Sequence, residues 1–239
     1  MEEKLSGIVL GGVSVGENDK ILNVFTIEQG VVSAKIKGVK KAGAKLKFAS
    51  QPFCFAEFVF AKTGKNRTVI GASLIDSFYP LREDLSKLYA GSVVLEYCKK
   101  FLKEGIESKE LFSLTVNALK NLSYLDQSAE YILCDFLVKA LALSGYALNF
   151  NGCFECLKDI NGRVFFDFSV GGFYCEECKT AWAREISIFT FLALKKIIDG
   201  EKVERQDCVK PLKLLEYYLK EKAEVTLNSL KELINLNNI

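Results

Sequence analysis

Cysteines at 153, 156, 175 and 178 are the residues of this chain whose type and spacing bear most directly on chemistry. Cys153 and Cys156 form one C-x2-C pair, Cys175 and Cys178 form a second, and eighteen residues lie between the pairs. Each pair sets two thiolates on one side of a tight turn. The aromatic, glycine-containing segment between them is long enough to run out and back as a short hairpin. Four sulfurs so placed close a tetrahedral site, the geometry Zn2+ accepts from cysteine, and the spacing falls in the range read as a zinc site. Asn151-Gly152 and Gly171-Gly172 stand just before the pairs, where knuckle turns use positive φ. Four protein ligands leave no position for water, so one structural Zn2+ per chain is expected. Cys54, Cys98, Cys134 and Cys208 then remain as free, mostly buried thiols. Two disulfides would need an oxidising compartment, of which the sequence gives no sign. A thioredoxin-like redox pair needs one motif at a strand-to-helix junction, not two flanking a hairpin.

A second chemistry-bearing stretch is electrostatic. From Gly30 to Ala56 there is no Asp or Glu, yet there are six lysines, Lys35, Lys37, Lys40, Lys41, Lys45 and Lys47. Lys62, Lys65 and Arg67 add charge a little further on. The whole chain carries a net charge of only +2, but residues 1–79 hold eleven cations against seven acids, so the basicity belongs to the N-terminal third. A lysine loop of this kind is often only solvated surface. The absence of acids and the confinement of excess charge favour binding of a phosphate backbone. Phe48, Phe53, Phe55, Phe58 and Phe60 follow the loop. Most are expected in a core, with one or two near the binding face as stacking surfaces.

Several function classes are excluded by what is missing. The chain has no histidine, which removes Ser-His-Asp and Cys-His catalysis and HExxH zinc hydrolases. Gly11 and Gly16 have the glycine spacing of a phosphate-binding loop, but Glu17-Asn18 follow in place of Lys-Ser/Thr; Gly38 and Gly43 repeat the near miss with Ala44-Lys45. No catalytic residue is assigned, and the protein is read as not an enzyme. Met1-Glu2-Glu3-Lys4 leads into no apolar h-region, and the most apolar stretch, Tyr131 to Leu148, is broken by Asp135 and Lys139. Neither signal peptide nor membrane span is expected, and the cytoplasm is the expected compartment.

The elements that must position these residues fall into two classes. Residues 1–79 break into five short runs suited to strands, at about 4–13, 20–27, 31–39, 53–62 and 67–78. Val32, Ala34 and Ile36 alternate with Ser33, Lys35 and Lys37. Gln29-Gly30 and Thr63-Gly64-Lys65-Asn66 have the character of hairpin connections. Five such strands suit a small closed barrel, for which the OB-fold is the commonest match. Lys40 to Lys47 then falls in a flexible loop between strands three and four. From Pro80 the period is helical: Leu81, Leu85, Leu88, Leu95 and Leu102, with Pro80 in a first turn and Gly105 as a stop. Further helices are expected over 111–122, 129–143, 185–198, 209–223 with Pro211 in a first turn, and 229–236. The expected architecture is α+β: an OB-fold domain at 1–79 and a mainly helical domain at 80–239, interrupted by the knuckle at about 151–180. The helices flanking the knuckle must pack on one another to cover their apolar stripes.

Taken in order, several stretches resemble the RecO family of DNA repair proteins. They are Gly16-Glu17-Asn18-Asp19, Thr26-Ile27-Glu28-Gln29-Gly30, Lys37-Gly38-Val39, Gln51-Pro52-Phe53, Leu81-Arg82-Glu83-Asp84-Leu85 and Gly171-Gly172-Phe173-Tyr174-Cys175. The resemblance covers about residues 5–200. It implies a recombination mediator that binds single- and double-stranded DNA, anneals complementary strands without ATP, and works at the nucleoid. It also implies contacts with the acidic, apolar C-terminal tail of single-strand DNA-binding protein (SSB) and with RecR, and indirectly with RecA. Some members lack the cysteines, which agrees with a structural role for the metal. Charge and an OB-fold alone leave a second reading open, a zinc-ribbon RNA-binding protein of transcription or translation.

Overall fold

A computed structural model of the chain describes residues 2–64 and 66–236. Its N-terminal strands are β1 (Glu2–Val15), β2 (Asp19–Thr26), β3 (Gly30–Ile36), β4 (Phe55–Thr63) and β5 (Asn66–Asp76). They close into a barrel in the order β1-β2-β3-β5-β4. The five-stranded barrel expected from the sequence is present. β1 makes closure possible because its first half pairs with β4 and its second half with β2, with a register shift between Val9 and Gly11. A bulge there bends one long strand across two neighbours. β3 and β5 run parallel and share only the pairs Lys35↔Thr68 and Ile36↔Val69, so the barrel is thinnest at that seam.

The strand alternation read from the sequence is the alternation of burial. On β3, Val32, Ala34 and Ile36 are buried and Val31, Ser33 and Lys35 are half-buried. The barrel interior is filled by Leu5, Val9, Leu22, Val24, Val32, Ile36, Phe58, Phe60 and Val69 with smaller neighbours. Phe58 and Phe60 lie fully inside, their ring centroids 5.7 Å apart. Two such aromatics in so small a barrel supply much of the apolar area that its folding needs.

The helices are α1 (Leu85–Phe101), α2 (Lys109–Tyr124), α3 (Ala129–Leu143), α4 (Ile188–Ile198), α5 (Arg205–Lys222) and α6 (Asn228–Leu236). Between α3 and α4 lies a three-stranded sheet in the order β7-β6-β8, made of β6 (Val164–Asp167), β7 (Gly172–Cys175) and β8 (Arg184–Ile186). Three expectations are corrected here. Pro80 belongs to a separate 3-10 turn, Tyr79–Arg82, and α1 starts only at Leu85. Residues 184–186 form β8, pairing with β6, so α4 begins at Ile188 instead of Glu185. α5 begins at Arg205, which puts Pro211 inside the helix. A proline there leaves the carbonyl four residues earlier without its helical donor, a cost outweighed by the burial of Leu212, Leu215 and Leu219.

The chain forms two compact units. One holds the residues through Asp84 together with Val94–Ser123, and the other holds Leu85–Val93 with the chain from Tyr124 onward. In the first, Phe112 of α2 packs edge-on against Phe25 of β2 and Phe55 of β4. The loop after α1 is stitched to the β2–β3 turn, where Gly105 N–H donates to Val31 O and any Cβ on Gly30 would lie 2.0 Å from Ile106 O. In the second, α3 packs on α4 and α5, and α6 on α5. The buried Glu130 of α3 accepts from Arg205 Nε of α5 at 3.0 Å. Helices on either side of the knuckle therefore do pack together.

Candidate metal centre and basic face

The eighteen residues between the cysteine pairs run out along β6 and back along β7, pairing Val164 with Cys175 and Asp167 with Gly172. This is the expected hairpin. Its apolar face is anchored by Phe166, which meets Phe173 at 4.7 Å and Tyr218 of α5 at 5.8 Å, while Phe173 meets Phe191 of α4 at 4.8 Å. At the turn, the buried Asp167 accepts from Ser169 N–H, Ser169 Oγ and Thr180 Oγ1. Burial alone would raise its pKa, but these donors hold it below the usual carboxylate value.

Cys153 and Cys156 come from the turn before this hairpin, and Cys175 and Cys178 from its return strand and the turn that follows. Their four Sγ atoms all lie within 4.8 Å of one another. Sulfurs about 3.8 Å apart are what a tetrahedral ion with 2.3 Å metal–sulfur bonds needs. The first turn is closed by Cys153 N–H to Lys158 O at 2.8 Å and Leu157 N–H to Cys153 O at 2.9 Å. Gly152 adopts φ +92, and a Cβ there would sit 2.5 Å from Lys158 O. Any side chain at position 152 is thus strained, for conformational and steric reasons together.

Electrostatics in the cluster favour a cation. Burial pushes the Cys153 thiol up, but N–H groups of Cys156, Cys175 and Glu155 aimed at its sulfur outweigh this and bring it down to about 6. Cys178, hydrogen-bonded to the Cys175 sulfur and facing the other thiols, is pushed up to about 12. Four thiolates this close repel one another, and a bound cation allows all four to ionise. The four residues fit a metal ion. Outside the cluster Arg163 bridges Glu176 and Glu185, tying the hairpin to β8.

The basic residues are distributed differently. Lys37, Lys40, Lys41, Lys45 and Lys47 are exposed between β3 and β4. Their loop is a succession of tight turns, with Lys41 N–H to Gly38 O, Ala44 N–H to Lys41 O and Lys47 N–H to Ala44 O. Its base is tied to the β1–β2 connection by Lys40 N–H to Asn18 O and by Gly38 N–H to Asp19 Oδ1 at 2.8 Å. Lys62 is exposed near the end of β4. Lys65 lies outside the described residues. Lys35 and Arg67 have partners within the barrel: Lys35 pairs with Asp19 at 2.9 Å, and Arg67 pairs with Glu3 at 2.7 Å and donates to Gln29 Oε1. Lys35, Lys37 and Arg67, with Ser33, Thr68 and Glu104, line a groove of about 590 Å3 along the thin β3–β5 seam.

Comparison with known proteins covers almost the whole chain. Residues 1–78 match the family described as Recombination protein O N terminal, and residues 82–231 match Recombination protein O C terminal. The chain belongs to the RecO family of DNA repair proteins. A DNA repair protein RecO of Desulforamulus reducens is 32% identical over 237 residues, covering 93% of this chain and 92% of that one. That of Acetivibrio thermocellus is 32% identical over 175 residues, 73% and 70% of the two chains, and that of Caldicellulosiruptor saccharolyticus 32% over 185 residues, 77% and 75%. The resemblance read from the sequence is borne out, and with it a place in recombinational DNA repair.

For this RecO chain the structure adds residues that sequence reasoning did not reach. Asp19 holds both Lys35 and the base of the lysine loop, and Glu3 holds Arg67. Neither has a local signal, because one pairing depends on the β2–β3 register and the other joins β1 to β5 over β4. Among the described helices, none is long and apolar enough to cross a membrane.

Proposed function

We propose that this RecO protein is a non-enzymatic DNA-binding mediator. On this reading it holds single- and double-stranded DNA, anneals complementary strands without nucleotide, and helps load recombinase on SSB-coated DNA. The observation that carries the reading is the acid-free stretch from Gly30 to Ala56, whose five exposed lysines between β3 and β4 sit on a barrel of OB topology. Annealing brings two polyanions together and breaks no covalent bond. A dense positive surface lowers that repulsion without further chemistry. Lys35, Lys37, Lys40, Lys41, Lys45 and Lys47 are the proposed phosphate contacts, with Lys62, Lys65 and Arg67 as further basic residues toward the seam.

The cysteine cluster would hold one Zn2+ through Cys153, Cys156, Cys175 and Cys178. Bound there it supplies a cross-link between the two ends of the hairpin, and a full ligand shell leaves it no open position. Its role is to fold the knuckle onto α4 and α5. SSB, RecR and, indirectly, RecA are the proposed partners. For the acidic SSB tail, an open groove of about 760 Å3 lined by Arg205, Lys210 and Lys213, with Val209 and Leu236 and one acid, Glu204, offers an excess of cations beside apolar side chains.

The test is strand annealing on complementary DNA already coated with SSB, with and without ATP. Annealing that needs no nucleotide and falls steeply with salt is expected. A strict nucleotide requirement would overturn the reading, and annealing of naked strands alone would remove the mediator role. RNA strands of equal length serve as competitors, and preference for them would favour the RNA-binding alternative.

A further inference from the structure

Just beyond the lysine loop the barrel has a second concavity, of about 340 Å3, lined by Phe48, Gln51, Cys54, Leu74, Ser77, Tyr79 and Arg82. That is the low end of the range for small-molecule sites, about 300–1,000 Å3. It opens to solvent: Tyr79 is 61% and Leu74 51% exposed. The turns next to it in sequence, at Phe53 and Phe78, are tightly held. Phe53 and Phe78, both buried, hold left-handed backbone at φ 71 and φ 46. Arg82 clamps both turns, donating to Ser77 O at 2.9 Å and Pro52 O at 3.0 Å while its guanidinium lies 5.4 Å from the Phe53 ring centroid. Non-glycine residues kept in that region by surrounding contacts are typical of binding sites.

We propose that this cavity takes one unpaired nucleobase from a strand whose phosphates lie on the lysine loop. The inference rests on the DNA-binding reading above and extends it to a base-contacting subsite. Three features favour a base. Lys47 directly precedes Phe48, so a phosphate neutralised at the end of the loop lies beside the cavity mouth. The lining holds two aromatic rings, an amide and a hydroxyl, the partners that stack on and hydrogen-bond to a planar heterocycle. Among the described residues it holds no carboxylate, and its single cation is already committed to backbone carbonyls, which disfavours an acidic peptide. Of the five phenylalanines after the loop, Phe48 is the one at this surface, since Phe58 and Phe60 fill the barrel and Phe53 is buried. A paired base is held in its duplex, so the subsite acts on single strands only.

The experiment compares full-length protein with Tyr79→Ala and Leu74→Ala, both at exposed positions, after melting curves confirm unchanged folding. The probes are a twenty-nucleotide thymidine strand, the same strand with abasic positions, and a duplex of equal length. Tyr79→Ala should lose about tenfold affinity for the intact strand, as expected for one stacked base, and Leu74→Ala, which removes only an apolar contact, a smaller factor; neither should lose affinity for the duplex. Wild type should bind the abasic strand about as weakly as Tyr79→Ala binds the intact one. Unchanged single-strand affinity, or equal loss on strand and duplex, would overturn the subsite, and so would saturation of the cavity by an apolar peptide with no effect on DNA. The triple variant Lys40→Glu, Lys41→Glu, Lys45→Glu separates this from the parent reading. Loss of both DNA forms in the triple variant, with full affinity in the cavity variants, removes only the subsite. Retention of both forms in the folded triple variant removes the DNA-binding loop itself.

Discussion

The knuckle and the lysine loop are both built from one repeated residue type, and they constrain that residue in opposite ways. In the knuckle, four cysteines are held to within 4.8 Å of one another by backbone hydrogen bonds, a glycine whose replacement would be strained, and a hairpin packed on two helices. In the loop, the lysine side chains point to solvent while only the backbone is pinned, through Asn18 and Asp19. Metal binding demands distances set to tenths of an ångström. Neutralising phosphates demands charge density, and flexible stems supply it without fixed geometry. The knuckle should therefore fail all at once when one residue changes, and the loop should fail in proportion to charge removed.

The largest effect tests the first half of that contrast. Protein purified without chelator should carry one zinc per chain by elemental analysis. Structural zinc contributes roughly 10–16 kcal/mol of apparent binding energy in finger peptides. Cys175→Ser should abolish most of it, exposing the Phe166–Phe173 cluster and lowering the melting temperature or solubility, with DNA affinity changed only as far as folding is lost. Metal-free protein with an unchanged melting curve would break the comparison.

Reversal of Lys40, Lys41 and Lys45 to Glu tests the second half. Six lysines on a single strand give a log K against log[salt] slope of about −4, at about −0.7 per phosphate. Losing three contacts should bring the slope to about −2, with weaker binding across all sequences. Single reversals should each remove about one third of that change. An all-or-none response to one lysine would mean that the loop, like the knuckle, has a fixed geometry.

How much of this was legible in the sequence follows from the same contrast. The cysteine spacing states a local geometry, so the hairpin of β6 and β7 was readable from the residues alone. The alternation of Val32, Ala34 and Ile36 and the helix 129–143 were equally plain, because their periods run through several repeats. β8 was not readable. Three residues, Arg184–Ile186, are too few to show a period, and the apolar residues after them suggested an earlier helix start. The N-terminus of α5 was also missed, because Pro211 reads as a first-turn proline whereas the helix gains its first turns through Arg205 and the buried Glu130. The pairing of Asp19 with Lys35 follows from the β2–β3 register, where Lys20 faces Ile36, and that of Glu3 with Arg67 joins β1 to β5 over the intervening β4; both depend on strand register, which no local pattern reports.

Gly152 allows a finer test of the knuckle. Alanine there forces a Cβ toward Lys158 O at 2.5 Å with φ at +92. Strain of about 1–3 kcal/mol is expected, read as weaker zinc retention against a chelator competitor while all four cysteines remain. Gly43, in the lysine loop, also has positive φ, but a Cβ added there would meet no atom within 4 Å. Alanine at that position should cost only the conformational term and leave the salt slope unchanged. Equal effects at the two positions would erase the distinction between a geometric site and an electrostatic one.

The smallest effect concerns Arg67, a cation on the basic side of the barrel that behaves like a knuckle residue. The hydrogen bond from Arg67 holds the Glu3 carboxyl below its usual 4.5, and both side chains are only 14% exposed. Because the folded-state pKa is the lower one, the stabilisation is fully present above the unfolded value and is lost as pH falls through the folded value. Glu3→Gln should cost about 1 kcal/mol at neutral pH. It should also flatten the loss of stability below about pH 4.5, so that variant and wild-type melting temperatures converge in acid. Arg67→Ala should likewise act on stability first, since its guanidinium is already paired with Glu3 and Gln29. Its effect on the salt slope should be smaller than that of any single loop lysine. If Arg67→Ala instead lowers the slope by a full ~0.7 with no change in melting, the ion pair opens to phosphate and the seam groove is the primary strand contact.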